Sequence, residues 1–251
     1  MNEVEEAIKT IPELSKILEN AVKTLKLDEK SSEDISRNFE QCLLNIESMA
    51  LKIYKEYEGE AFKKAAELWI NNRKEWISNI LREKGDEGIK DILTEFIDCI
   101  REMEFRVGQM RKARGGKTFE SIVKILLNLA GVPCEEPHKE TKKILKRIDL
   151  VSPNAETARG TPDKAIFIAT KRTLRERWKQ VVPEHMKGAR LYLVTINGEL
   201  SEEKAKEINE AGMFVYVRDE LKEASYLKDK PWVRRLSDLP KDIKNATPKP
   251  T

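Results

Sequence analysis

The sequence predicts an α/β protein, a mixed sheet flanked by helices, preceded by an all-helical N-terminal domain. Up to about residue 107 the apolar residues recur at helical spacing, in one segment after another. Beyond that point short apolar runs alternate with helical segments, the order that packs helices on a small sheet. With 251 residues, 39% of them hydrophobic, the chain can bury a sizeable core. The expected division is 1–105 for the helical domain, 106–240 for the α/β domain and 241–251 for a flexible tail.

Pro12 opens the first clear helix, with Leu14, Ile17, Leu18, Val22 and Leu25 on one face. Ser31, Ser32, Glu33 and Asp34 read as an N-terminal cap for a long segment through Phe39, Leu43, Ile46, Met49, Ala50 and Ile53. A third helix is expected over 61–81; Trp69 and Trp76, seven apart on one face, belong to its packed side. A fourth runs from Ile89 through Leu93, Phe96 and Ile97 to Ile100, and Gly85 and Gly88 punctuate between the last two. In the second half, 119–129 is a helix stopped by Gly131 and Pro133. Strands are expected over 148–151, 165–169, 191–196 and 213–217, the second apolar enough to be central. A helix over 173–182 ends at Pro183, and a Ser201-capped helix separates the last two strands. The Pro/Lys-rich tail after Pro240 is expected to fray.

Charged residues make up 36% of the chain but nearly cancel, leaving a net charge of +3. Any nucleic-acid binding must therefore come from local basic surface rather than from global charge. The Lys/Glu-rich balance is of the kind found on ion-pair-laced thermophile surfaces. Three widely spaced cysteines, Cys42, Cys99 and Cys134, show no metal-ligand spacing and read as reduced thiols. Two histidines argue against a zinc site and against histidine-based triads. With no membrane-length apolar run and an acidic N-terminus unlike a signal peptide, the expectation is a soluble, cytoplasmic protein.

Two residues carry the chemistry. Asp149 interrupts an apolar strand, where a carboxylate is costly to bury without a partner. Lys171 finishes the most apolar strand of the chain. Alone, each is an ordinary strand end pointing to solvent. Together at neighbouring strand ends they form the core of a metal nuclease, in which a carboxylate holds a divalent cation and a lysine helps activate the attacking water. Magnesium needs a further acid. The usual place is two residues before the lysine, which here is Ala169. Glu184, just past Pro183, and Glu120, in the 119–129 helix, are the candidates, though isolated glutamates are commonly surface residues.

Residues 169–180, Ala-Thr-Lys-Arg-Thr-Leu-Arg-Glu-Arg-Trp-Lys-Gln, with Pro183-Glu184 beyond, resemble the signature of one branch of the PD-(D/E)XK restriction endonucleases. This is the CCGG/CCNGG-cutting branch that includes EcoRII, PspGI, NgoMIV and BsaWI. The resemblance spans roughly residues 107–196. It implies a restriction-endonuclease-like fold and a Mg2+-dependent type II enzyme. In it Asp149 and Glu184 hold the metal, Lys171 is catalytic, and Glu120 supports the active site from the entry helix. The absent acid at Ala169 is a feature of the branch, whose metal-binding glutamate has moved onto the following helix.

The literal Pro162-Asp163 pair is a decoy for the family's named motif. Asp163 starts the strand that Lys171 ends, on the order of 25 Å away in an extended chain. It belongs instead to the Gly160-Thr161-Pro162 turn.

The resemblance also assigns base reading to Arg175, Glu176 and Arg177. Their chemistry fits a G·C pair: arginine donates twice to guanine, and a carboxylate accepts from the cytosine amino group. Arg106, Arg111, Lys112, Arg114 and Lys117 precede the 119–129 helix, with Gly115 and Gly116 among them. They read as a surface for the DNA backbone or flanks, or else as a solvated helix end. The implied site is palindromic with CC/GG halves, CCGG with A/T flanks by analogy with the large helical domain of BsaWI. Cleavage before the first C would leave 5′-phosphates and 5′ overhangs. A homodimer or higher homo-oligomer is implied, with the helical domain serving dimerisation or flanking DNA, and a cognate DNA methyltransferase as functional rather than physical partner. Two other readings remain open: a structure-specific or repair nuclease on the same core, and a non-catalytic DNA-binding or helical scaffold protein.

Overall fold

The structure is a computed structural model that describes residues 2–139, 148–174 and 190–246. Its first six α-helices are α1 (Glu3–Ile8), α2 (Leu14–Thr24), α3 (Ser32–Arg37), α4 (Phe39–Asn72), α5 (Lys74–Lys84) and α6 (Gly88–Leu129). The chain forms two compact units. One comprises residues Met1–Ala21 and Ser48–Gly115, the other Val22–Glu47 and Gly116–Thr251.

The first unit is helical. Trp69 is buried and packs edge-on against half-buried Trp76, with ring centroids 6.3 Å apart, and against Phe96 at 5.0 Å. The Arg73 guanidinium lies 4.9 Å from the Trp69 ring and bonds Glu3 at 2.6 Å. Backbone and Arg73 donors hold the Glu3 carboxyl down at about 2, from an ordinary value of 4.5. Two expected boundaries move. The third expected helix divides at Arg73, between α4 and α5. The fourth does not end near Ile100 but continues to Leu129, so Gly115 and Gly116 lie inside a 42-residue helix rather than in a connection. Each interior glycine costs a helix about 1 kcal/mol. Packed residues to both sides, Met103 and Val107 before and Phe119, Ile122, Val123, Leu126 and Leu127 after, outweigh that cost.

The second unit holds a five-stranded sheet in the order β1 (Leu150–Ser152), β2 (Ile166–Thr170), β3 (Arg190–Val194), β4 (Met213–Val217) and β5 (Val233–Arg235). β1 runs antiparallel to β2, and the other pairs are parallel. The predicted class, a mixed sheet with flanking helices and a helical N-terminal region, is the one observed. Ala205 and Ile208 of helix Glu202–Glu210 share a core cluster with Phe167, Ala169, Leu193, Val215 and Val217. On the opposite face Tyr192 stacks with Tyr216 at 5.0 Å, and the Tyr216 hydroxyl donates to Asp242. Burial on both faces is why these strands read as continuous apolar runs. The Ser31 and Ser201 caps form as predicted, accepting from the Asp34 and Lys204 amides. Ser31 caps only the short α3, however, because Asn38 separates it from α4.

Elements that were not foreseen include α1, the short helices Ala155–Gly160 and Asp219–Lys222, β5, and helix Leu239–Ala246. The last corrects the expected fraying after Pro240. Leu239 and Ile243 are fully buried and Asp242 binds Arg234 through two bonds of 3.0 Å, so this stretch is packed rather than loose. Residues beyond 246, and the helix expected over 173–182 from residue 175 onward, lie outside the described residues.

Two outcomes are expected. Ile243→Ala should lower unfolding free energy by about 2–5 kcal/mol in urea titrations; a loose tail would show almost no change. The depressed Glu3 value means its stabilisation is fully present above about pH 4.5 and is lost as pH falls through about 2. Glu3→Gln should therefore flatten the decline of the urea midpoint across that window, and an unchanged decline would contradict it.

Candidate active site

The β1/β2 pairing builds the site. In its register Leu150 faces Ile168 and Val151 faces Phe167. One step further sets Asp149 across from Ala169, and the Asp149 amide still donates to the Ile168 carbonyl at 3.0 Å. Because the strands are antiparallel, the beginning of β1 meets the end of β2, where Lys171 follows. The Lys171 amide continues the ladder to the other neighbour, donating to Val194 of β3 at 2.9 Å. Asp163 lies at the other end of β2, in the one-turn helix Pro162–Lys164, as the decoy reading requires.

Three donors converge on a single oxygen of Asp149. Its Oδ2 accepts from the Lys171 ammonium at 2.8 Å, the Thr170 amide at 2.7 Å and the Thr170 hydroxyl at 3.0 Å. The ammonium also donates to the Thr170 carbonyl at 2.9 Å. Both charged side chains are 21% exposed, so the pair is withdrawn from solvent yet reachable from it. Such charge-assisted bonds are short and orient both partners. Ala169, fully buried, contributes only a methyl group where the simple form of the motif carries an acid.

The exit from β2 is tied down on each side. Arg172 pairs with Glu47 at 3.0 Å, and the Lys204 ammonium donates to the carbonyl of buried Leu174 at 3.0 Å. Sequence reading missed Thr170, Glu47 and Lys204. A hydroxyl residue beside a strand-end lysine was the only signal for the first, and the other two depend on distant packing.

The remaining expected site residues are distributed as follows. Glu120 is half-buried on α6, in the same unit as Asp149 and Lys171. Lys117 is exposed on that helix. Arg111 makes a two-pronged pair with Glu58, and Arg114 donates to the Pro12 carbonyl at 2.8 Å with its guanidinium 5.2 Å from the Tyr54 ring. Glu184, Arg175, Glu176 and Arg177 lie outside the described residues.

Among the described residues no three acids, histidines or cysteines group as a metal site. The donor set nevertheless suits a hard cation. All the side-chain bonds described for Asp149 fall on Oδ2, which leaves Oδ1 to offer a carboxylate oxygen of the kind magnesium prefers. A neighbouring ammonium and a polar strand end are the company such a cation needs for work on a phosphate.

Comparison with known proteins places the chain as a whole. The family model described as EcoRII C terminal matches residues 75–239, more than half of the chain. The type II restriction enzyme SsoII of Shigella sonnei is 27% identical over 210 residues, covering 80% of this chain and 67% of that enzyme. The restriction endonuclease PspGI, solved as a complex with substrate DNA, superposes with a TM-score of 0.62 at 25% identity, over 96% of this chain and 95% of that one. Metal-depleted Ecl18kI in complex with uncleaved DNA gives a TM-score of 0.75 at 23% identity, over 97% and 82% of the two chains, a likeness of fold. Among the described residues no helix is long and apolar enough to cross a membrane. With about two thirds of its length matched by one family model, the chain belongs to the EcoRII C-terminal family of type II restriction endonucleases.

Proposed function

We propose that this chain hydrolyses both strands of duplex DNA at a palindromic site with CC/GG halves, using Mg2+. The observation that carries the proposal is the Lys171 ammonium held 2.8 Å from Asp149 at the joined ends of β1 and β2, in a chain of this family. Asp149 and Glu184 are the residues that would hold the cation. A divalent cation bound there supplies charge neutralisation to the phosphate and lowers the pKa of a bound water. Asp149 and the Thr170 carbonyl fix the Lys171 ammonium, which then donates to the attacking water or to the phosphate oxygens. Water adds to phosphorus, the bond to the 3′ oxygen breaks, and the products are a 5′-phosphate and a 3′-hydroxyl. Glu120 supports this centre from α6.

Arg175, Glu176 and Arg177 follow the catalytic strand directly and read the half-site, Glu176 at cytosine and the arginines at guanine. Arg172–Glu47 and Lys204–Leu174 anchor the start of that segment, which supports coupling between base reading and the position of Lys171. Lys117 is the candidate for phosphate contact. Arg111 and Arg114 would have to exchange their present partners to join it, and are proposed as flank contacts on that condition. The palindrome requires two copies related by a twofold axis, hence a homodimer or higher assembly, in a cytoplasm protected by a cognate methyltransferase.

The same half-site residues suit two forms of the site. Analogy with BsaWI favours CCGG with A/T flanks, whereas the EcoRII family match and the likeness to PspGI favour CC-N-GG. In both, cleavage before the first C leaves 5′ overhangs.

Plasmid DNA incubated with the protein should yield discrete bands with Mg2+ and none in EDTA. A smear would mean a nuclease that does not read sequence, and intact plasmid a binding protein. Sequencing the cut ends gives the site and stagger. Arg177→Ala should reduce cleavage at the cognate site about 5- to 150-fold, as expected from losing about 1–3 kcal/mol of base discrimination; unchanged rate and specificity would contradict its role.

A further inference from the structure

We infer that Thr170 is a positioning residue: its hydroxyl fixes the Asp149 carboxylate so that one oxygen faces inward to protein donors and the other is presented to the cation. The inference rests on Asp149 being a metal ligand, as proposed above, and adds to it a residue with no charge.

The geometry has three parts. Thr170 gives Asp149 Oδ2 two bonds from one residue, from its amide at 2.7 Å and its hydroxyl at 3.0 Å. Threonine is only 7% exposed here, and its branched side chain has few rotamers, so the hydroxyl is held where it is needed at little cost in entropy. Finally, the Thr170 carbonyl accepts from the same Lys171 ammonium that binds Asp149. One residue therefore sets the position of both charged groups. A plain structural role, a hydroxyl satisfying a strand end, would need only one partner and would not require the carboxylate to be that partner.

Without the hydroxyl, Oδ2 keeps the Thr170 amide and the ammonium but loses the lateral bond that stops the carboxylate turning about its Cβ–Cγ axis. The ammonium then draws the carboxylate without opposition, and Oδ1 is presented less consistently. Outer partners of ligating carboxylates act in this way, and losing them typically costs about 10–100-fold in metal affinity or activity.

The experiment titrates Mn2+ into the full-length chain and follows free Mn2+ by electron paramagnetic resonance, beside duplex affinity without metal and cleavage rate against Mg2+ concentration. Thr170→Val, which keeps shape and loses only the hydroxyl, should weaken Mn2+ binding about tenfold. It should raise the Mg2+ needed for half-maximal rate by a similar factor and leave metal-free duplex affinity unchanged. Thr170→Ser should bring Mn2+ affinity back to within about threefold of the parent. Thr170→Ala serves in place of the valine variant if circular dichroism shows that one unfolded. Parental Mn2+ affinity in the hydroxyl-free variant, or a serine variant as weak as it, overturns the inference. Asp149→Asn is the control for the reading beneath it: if that variant binds Mn2+ like the parent, the carboxylate is not the ligand and the fault lies with the metal assignment rather than with Thr170.

Discussion

The antiparallel pairing of β1 with β2 is the constraint on which the rest depends. The three parallel pairings of the sheet do not bring a residue at the start of one strand to a residue at the end of its neighbour. The one antiparallel pair, Leu150 to Ile168 and Val151 to Phe167, does so. Asp149 then needs no long reach to Lys171, and the cost of placing a carboxylate beside an apolar sheet is met by three donors on one oxygen. A register slip of one residue would turn Asp149 to the other face. The buried side chains around it, Ile148, Leu150 and Val151, make that slip expensive.

The same economy explains how an acid can be absent from Ala169. In the usual motif, neighbouring acid and lysine lie on one strand two residues apart and share a face. Here Ala169 is fully buried in the core cluster, and its place opposite Asp149 is filled by packing. The oxygen supply must then come from outside the sheet, which is why the proposal turns to Glu184 in the segment after Lys171. Arg172 and Leu174, on the way into that segment, are tied to Glu47 and Lys204 on two helices.

Much of this was legible in the sequence because burial leaves a strong imprint. β2 and β4 are continuous apolar runs, and an aspartate at the start of β1 and a lysine closing β2 stand out against that background. Asp163 could be discarded from strand length alone. Other parts were hidden for physical reasons. β5 is three residues long with two arginines, too short and polar to show a period, and its arginines are paired with Asp242 and Glu223. Helix Leu239–Ala246 contains few apolar residues, of which Leu239, Pro240 and Ile243 are buried. The continuity of α6 through Gly115 and Gly116 was hidden because propensity is local, whereas the helix is held by packed residues on either side of them. Arg111 and Arg114 looked like free cations since nothing in the sequence announces that Glu58 and the Pro12 carbonyl will meet them. The pairing of Asp149 with Thr170 was invisible for a similar reason, as a hydroxyl beside a lysine is common and becomes informative only with a distance.

The central claim is that Asp149 and Lys171 frame the place where a cation and a scissile phosphate meet. Crystals of the chain with a duplex carrying its site, grown with Mn2+ under conditions that prevent turnover, test it most directly through the anomalous signal of the metal. The account predicts a peak about 2.0–2.3 Å from an Asp149 carboxylate oxygen, with Glu184 on the same ion and the Lys171 ammonium beside the phosphate. A metal peak bound elsewhere, with Asp149 and Lys171 remote from the phosphate, would contradict it.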